Sequence, residues 1–323
     1  MASTRTAFVI RPAEPADLAS WLSLVNQVRY WQDDVEALQF DETLRPPDEP
    51  ILRLGAWTTD GALAGVAEAA LSEDGSRYQD RAAGLVGIAP AYRRQGLGAR
   101  LADEVEGFAV ANHVRWVEAE VRETNLPAAL PFVGLRGYVE LERFRTSVQT
   151  PSTVGLSGLT ELRTRLHGEG IEIVAFPIDS PRARDELYRL TVQIWRDMPH
   201  EPHVDWQDPA PETFSRSIFE RPGVLLDGFY VARDGERLVG LSYLVRRPDG
   251  DAEVGDTGVL RDYRRRGIAR ALKMMVTRYA TENRITRVHT DNRADNAGML
   301  AINRELGFVP GEEIVIFEKA LAS

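Results

Sequence analysis

The chain has 323 residues, 43% hydrophobic and 27% charged, which is ordinary globular composition and a length that suits two domains. Its net charge of −10 argues against nucleic acid as the main partner, because a phosphate backbone rewards clustered Lys and Arg. Cysteine is absent, which excludes disulfides, thiolate nucleophiles and Cys-held metal.

The first residues run directly into an apolar strand at 7–10, without the charged head, apolar core and cleavage site of a signal peptide. No apolar run approaches the length that crosses a bilayer, so a cytoplasmic protein with no membrane partner is expected. Asp60-Gly61 marks a hairpin turn, followed by a short apolar strand containing Gly65. A further strand ends at Gly87, Ile88 and Ala89 and passes through a glycine-containing loop into a helix. The next strand leads to Asn125, after which Pro127 and Pro131 are expected to interrupt a short helix ahead of Gly137-Tyr138. Residues 150–170, with Pro151 and several Ser, Thr and Gly, read as a linker holding a short helix at 159–167. Beyond it come a strand at 171–177 and a helix opening at Ser180-Pro181, a capping Ser and a first-turn Pro. Strands follow at 229–233, 237–246 and 252–260, then a helix at 267–283 whose Ile268, Leu272, Met275, Val276 and Tyr279 share one face. A strand at 286–290, a helix at 297–305 and a terminal strand at 313–321 finish the chain, and each half is expected to close with a strand pair. Strands and helices interleave, giving an α/β fold with a mixed, mostly antiparallel sheet flanked by helices.

The order is that of a duplication. Gly87 to Gly98 matches Gly258 to Ala269, and Arg93, Gly96 and Asn125 each recur 171 residues later as Arg264, Gly267 and Asn296. The register slips by one at Gly137-Tyr138 against Gly307-Phe308. Two copies of this size are too few and too large for a solenoid, so the reading is a domain at 1–149, a linker at 150–170 and a second domain at 171–323.

Arg93-x-x-Gly96-x-Gly98 and Arg264-x-x-Gly267-x-Ala269 each join a strand to a helix. Small residues there let a ligand approach the backbone, and the free N–H groups of the first helical turn form an anion site. Several amide bonds to charged oxygens, each contributing about 1.5–3 kcal/mol, suffice to hold a pyrophosphate. The spacing fits neither the P-loop nor the dinucleotide fingerprint. It matches the acyl-CoA signature of GNAT acetyltransferases, and the second copy adds Asn296-x-x-Met-x-x-Ile-Asn303-x-x-x-Gly307-Phe308. The chain therefore resembles a tandem GNAT acetyltransferase, of the two-domain type that includes mycothiol-synthase-like enzymes, over nearly all of its length outside the linker.

The resemblance implies acetyl-CoA as donor substrate, no metal, and direct attack by the amine of a small molecule. Coenzyme contacts would come from Ile88, Ala89, Arg93, Arg94, Gln95, Gly96, Leu97 and Gly98, and from Val259, Leu260, Arg261, Arg264, Arg265, Arg266, Gly267, Ile268, Ala269 and Asn296. It also implies a splay between two parallel strands and a bulge whose N–H polarises the thioester carbonyl. The general-acid Tyr of many members is replaced by Val133 and Asn303; Asn303 could still hydrogen-bond the sulfur.

A lysine-like amine costs about 4.6 kcal/mol to deprotonate at pH 7, so a base is wanted. Candidates are Glu253 and Asp256 on one strand, which alternation sends to opposite faces, and His289 and Asp291 on the next. The second domain is the expected catalytic half. The acceptor would meet Trp195, Asp197, His200 and Glu201, which together offer an aromatic face and carboxylates to a cation. His200-x-x-His203 is also a conceivable metal pair, disfavoured by Pro202. Alternatives are acetylation of an amino-sugar conjugate, a tandem fold that uses aminoacyl-tRNA, and a coenzyme-binding sensor without turnover.

Overall fold

The computed structural model describes residues 7–71, 77–78, 80–198 and 206–321. They form two compact units, one made of residues up to 144 with 206–207 and 312–321, the other of 145–198 with 208–311. The units are thus discontinuous where the sequence reading drew contiguous domains.

In unit 1, β1 (Phe8–Pro12) is followed by α1 (Leu18–Val28), α2 (Val35–Glu42), β2 (Ile51–Thr58), β3 (Leu63–Ala70), the short β4 (Arg77–Tyr78), β5 (Arg81–Ile88), α3 (Leu97–Ala111), β6 (Trp116–Arg122) and α4 (Leu126–Leu135). The expected interruption of α4 does not occur. Pro127 sits in the first turn, where an N–H has no partner anyway, and Pro131 lies inside the helix on an exposed position. Then β7 (Val139–Gln149) leads to α5 (Leu159–Gly168) in the expected linker.

Unit 2 continues with β8 (Ile171–Ala175), α6 (Pro181–Arg196), β9 (Trp206–Gln207, which pairs with β4 and belongs to unit 1), α7 (Pro211–Phe219), β10 (Tyr230–Asp234), β11 (Arg237–Arg246), β12 (Ala252–Val259), α8 (Ile268–Glu282), β13 (Val288–Arg293), α9 (Ala297–Glu305) and β14 (Val309–Ala320). Ser180 caps α6, accepting from the Ala183 N–H at 3.3 Å. The main-sheet order is β1-β2-β3-β5-β6 in unit 1 and β13-β12-β11-β10-β8 in unit 2, antiparallel except for β5 with β6 and β12 with β13.

Neither half closes with a strand pair of its own. From Glu312 onward β14 belongs to unit 1, pairing antiparallel with β6 from Ile314↔Arg122 to Ala320↔Trp116, while β7 from Arg145 onward belongs to unit 2. Val315 and Phe317 pack with Val121 and Val133, and Glu318 reaches the buried guanidinium of Arg81 at 3.2 Å, which Glu118 also pairs. In unit 2, Gln149 donates to the Leu306 carbonyl at 2.5 Å and accepts from Thr277 at 3.1 Å. The chain has exchanged its closing strands. Sequence could not foresee this, because apolar closing strands of like pattern suit either unit.

Both sheets are covered on two faces at matched positions. A Cβ on Gly65 would meet Leu101 of α3 at 3.1 Å, and one on Gly87 would meet Val28 of α1 at 3.1 Å. Their counterparts repeat the arrangement: Gly240 faces Leu272 of α8 at 3.2 Å, and Gly258 faces Ile194 of α6 at 2.4 Å. Without a side chain, Gly258 lets α6 sit down on the strand that leads to the loop. Each fully buried side chain here, such as Leu272 or Leu101, contributes about 1.5–3 kcal/mol.

Candidate active site

The two strand-to-helix loops are conformational copies. Each opens with one 3-10 turn, Pro90–Tyr92 or Arg261–Tyr263. Arg93 and Arg264 then fold their Nε back onto the strand, donating to Ile88 O and Val259 O, both at 3.1 Å. Arg94 and Arg265 are left-handed, with φ of 62° and 65°, a conformation rare for residues with a side chain. Gly96 and Gly267 cap the helices at φ of 83° and 84°, with no side chain on the free amides. The first helical bonds run from Arg100 N–H to Gly96 O and from Ala271 N–H to Gly267 O, so the amides before them point out of the helix ends. Such a cradle suits a pyrophosphate. Gln95, Leu97 and Gly98, and Arg266, Ile268 and Ala269, lie in these same turns, with the side chains of Leu97 and Ile268 turned into the cores.

Each loop stands at the mouth of a splay. β5 and β6 pair only from Arg81↔Trp116 to Gly84↔Ala119, and β12 and β13 only at Ala252↔Val288 and Glu253↔His289. Beyond those points the strands part, leaving main-chain edges for an amide-bearing ligand. There the copies diverge. β3 pairs with β5 in unbroken register from Gly65↔Ile88 to Ala70↔Ala83. β11 and β12 lose one residue of register between Ser242↔Thr257 and Leu244↔Val254, so Gly255 and Asp256 together oppose Tyr243. This is a β-bulge, and it requires glycine: a Cβ on Gly255 would lie 2.3 Å from the Tyr243 ring. The bulge breaks the alternation used to place Glu253 and Asp256 on opposite faces.

Polar groups gather in the unit 2 splay. Asp256 lies 3.5 Å from the Tyr243 hydroxyl. Burial raises the Asp291 carboxyl to about 6, helped by the charge of Asp256 and opposed by that of Lys273. Lys273, on α8, is only 1% exposed; burial lowers it to about 7, with Asp291 pulling the other way. Its Nζ sits 4.9 Å from the centre of the Phe308 ring. Asn303 is equally buried, donating to Asn292 Oδ1 at 2.7 Å, while its own Oδ1 has no partner among the described residues. An orphaned buried acceptor and unpaired strand edges in one crevice fit a ligand carrying amides and a thioester. In unit 1 the corresponding positions are Leu85, Ala102, Glu120 and Val133, and Glu120 accepts the Tyr30 main-chain N–H at 2.5 Å.

Comparison with known proteins matches residues 16–132 and 186–308 to the acetyltransferase (GNAT) family, most of the chain in two copies. The chain belongs to the GNAT family of N-acetyltransferases. It is 25% identical over 292 residues to a mycothiol acetyltransferase of Corynebacterium efficiens, covering 89% of this chain and 88% of that protein. Its fold resembles a GCN5-related N-acetyltransferase from Sphaerobacter thermophilus, with a TM-score of 0.71 at 18% identity over 99% of this chain and 97% of that one. A tandem GNAT protein from the clavulanic acid biosynthesis pathway gives 0.72 at 17% identity, over 98% and 99% of the two chains. The GNAT family generally uses acetyl-CoA and acts on amines. No described helix is long and apolar enough to cross a membrane.

The remaining candidates of this GNAT chain are spread out. Glu253 is 1% exposed and paired with Arg247, and the His289 ring meets Asp251 at 3.1 Å, its pKa lowered chiefly by burial. Both sit at the closed base of the splay, away from the bulge. Asp249, Asp251 and His289 could bring three ligand atoms within 4.8 Å of one another, but Arg287 lies 2.7 Å from Asp251 and Arg247 lies 3.7 Å from Asp249, supplying the positive charge. Asn296 caps α9 by accepting from the Met299 N–H at 3.1 Å. Asp197 is drawn to the strand-to-helix loop, 3.3 Å from Arg261 and 3.7 Å from Arg264. Trp195 packs edge-on against Phe214. His200, Glu201 and His203 lie outside the described residues. Lys273 was missed by sequence reasoning. Its signal was a lone lysine in unit 2, set beside the apolar face of an amphipathic helix in a chain with two lysines.

Proposed function

We propose that the chain moves the acetyl group of acetyl-CoA to the amine of a small molecule by direct attack, with unit 2 as the catalytic half. One observation carries this reading: the bulge at Gly255–Asp256 and its cluster of ionisable groups occur in the unit 2 splay, while unit 1 keeps the loop and loses both. Acetyl-CoA supplies an acyl group already activated as a thioester. The amides after Gly267, flanked by Arg264, Arg265 and Arg266, would hold its diphosphate, and the edges of β12 and β13 its pantetheine amides. The main chain of the bulge, out of register with β11, would point an N–H at the thioester oxygen, where negative charge develops. Asp291, raised to about 6 chiefly by burial and further by the charge of Asp256, is mostly ionised at pH 7 and basic enough to take the proton that the amine nitrogen sheds on attack. No cysteine exists to form an acyl-enzyme, which supports direct transfer.

The likeness to a mycothiol acetyltransferase over most of both chains favours, as a second reading, an amino-sugar conjugate as acceptor. Incubating the protein with acetyl-CoA and a panel of small amines and amino-sugar conjugates, and following free-thiol release, tests both. Turnover should fall at least a hundredfold in Asp291→Asn. Undiminished turnover in that variant refutes the assignment.

A further inference from the structure

The family's usual tyrosine acid has no equivalent at Asn303 or Val133, yet the departing sulfur must leave as a thiolate or collect a proton. Among the described residues, the crevice beside Asn303 holds a cationic side chain that takes part in no ion pair. Lys273 projects from the second turn of α8 and is buried with its Nζ against the Phe308 ring. The Phe308 N–H donates to the Asn303 carbonyl at 2.9 Å, so this ring adjoins the position the acid would occupy. Nζ donates no hydrogen bond to any described residue. Among the described residues, the charge that acts on it is that of Asp291 on β13, which in turn feels Asp256 of the bulge on β12. On its own helix, the next turn's Thr277 shares its one hydroxyl proton between the Lys273 carbonyl at 2.8 Å and Gln149 Oε1 at 3.1 Å, and makes no bond to the ammonium. A lysine this buried is costly to keep charged, and apolar Ala102 fills the matching place in unit 1.

We propose that Lys273 is the acid of the reaction, giving its proton to the coenzyme sulfur as the carbon–sulfur bond breaks, and that Asp291 restores it. The inference rests on unit 2 being the acetylating half. The neutral amine forms its bond to the acyl carbon, and the electron pair of the broken bond stays on sulfur. The surplus proton on nitrogen passes to the Asp291 carboxylate, and the Lys273 ammonium protonates the sulfur. Protonated Asp291 then returns its proton to neutral Lys273 by way of intervening water, since the two side chains are not hydrogen-bonded, so the pair ends as it began and no outside reactant is consumed. Burial supports the exchange, since it brings Lys273 to about 7 and Asp291 to about 6, near enough for a proton to sit on either.

The test uses the full chain with CoA itself as probe. The ultraviolet absorbance of the thiolate gives the pKa of the thiol of bound CoA in wild type and in Lys273→Met; the difference isolates unit 2, because unit 1 is unchanged. A cation beside the sulfur should make the wild-type thiol ionise at least one pH unit lower than in the variant. Turnover should fall about 10²–10⁴-fold, with the KM for acetyl-CoA little changed. Lys273→Ala guards against misfolding: small alkylammonium ions should restore part of its rate. Equal thiol pKa values, or lost turnover that no alkylammonium restores, overturn the role of Lys273 while the function of unit 2 stands. Absence of CoA binding by the wild type overturns the underlying reading, and the proposal falls with it.

Discussion

Replacing Lys273 with methionine should make the protein more stable. Burial lowers the lysine from 10.5 to about 7, and at about 1.4 kcal/mol per pH unit this is a cost of about 5 kcal/mol to the folded state whenever the lysine is charged. Methionine fills similar space with no charge to desolvate. Part of the gain is forfeited, because Asp291 loses a favourable neighbour and protonates; a net gain of about 2–4 kcal/mol is expected near pH 6.5. The sign with pH is fixed. Between about 7 and 10.5 the unfolded lysine holds a proton that the folded one has released, so wild-type stability rises with pH across that window. The advantage of Lys273→Met must therefore be largest below pH 7 and shrink toward pH 10. Urea unfolding of both proteins at pH 6.5, 8 and 9.5, followed by circular dichroism, measures it. A variant that is less stable at pH 6.5, or whose advantage does not change with pH, refutes the claim that this ammonium is held at a cost.

Asp291→Asn should remove the acid limb of the kcat/KM profile, which in the wild type should fall below about pH 6 as Asp291 takes up a proton and ceases to act as a base; stopped assays from pH 5 to 8 decide this. Gly267→Glu forces a side chain onto a left-handed residue, 3.0 Å from Arg165 and 3.2 Å from Leu162, and sets a carboxylate at an anion cradle. Calorimetry should find acetyl-CoA binding to unit 2 abolished, with turnover lost alongside. Phe317→Ala should cost about 3–5 kcal/mol, and the loss should appear in unit 1, with Trp21 and Trp116 fluorescence, rather than in unit 2.

The architecture was legible to the extent that local patterns carry it. Ser180-Pro181 announced α6 because a capping hydroxyl and a first-turn proline act within one turn of chain. The duplicated loop was legible in its glycines, whose spacing dictates the left-handed turn at Gly96 and Gly267. The bulge was not, since it depends on Tyr243 of the neighbouring strand filling the space above Gly255. Glu253 and Asp256 looked equivalent as acids in sequence; partners separate them, Arg247 taking Glu253 into a buried pair while Asp256 stands at the bulge. Lys273 escaped notice because a lysine within an amphipathic helix normally reaches water, and only three-dimensional packing reveals that α8 is enclosed around it.

The interchange of closing strands has a consequence for how the molecule is made. Everything else in the β1–β6 sheet is synthesised before residue 123, yet its edge is finished by residues 314–320. During translation the first sheet to leave the ribosome waits, with the flank of β6 open, until nearly two hundred further residues have followed. Nascent chains of this protein are therefore exposed to strand-pairing with strangers for most of their synthesis, a hazard that two self-contained copies would have escaped.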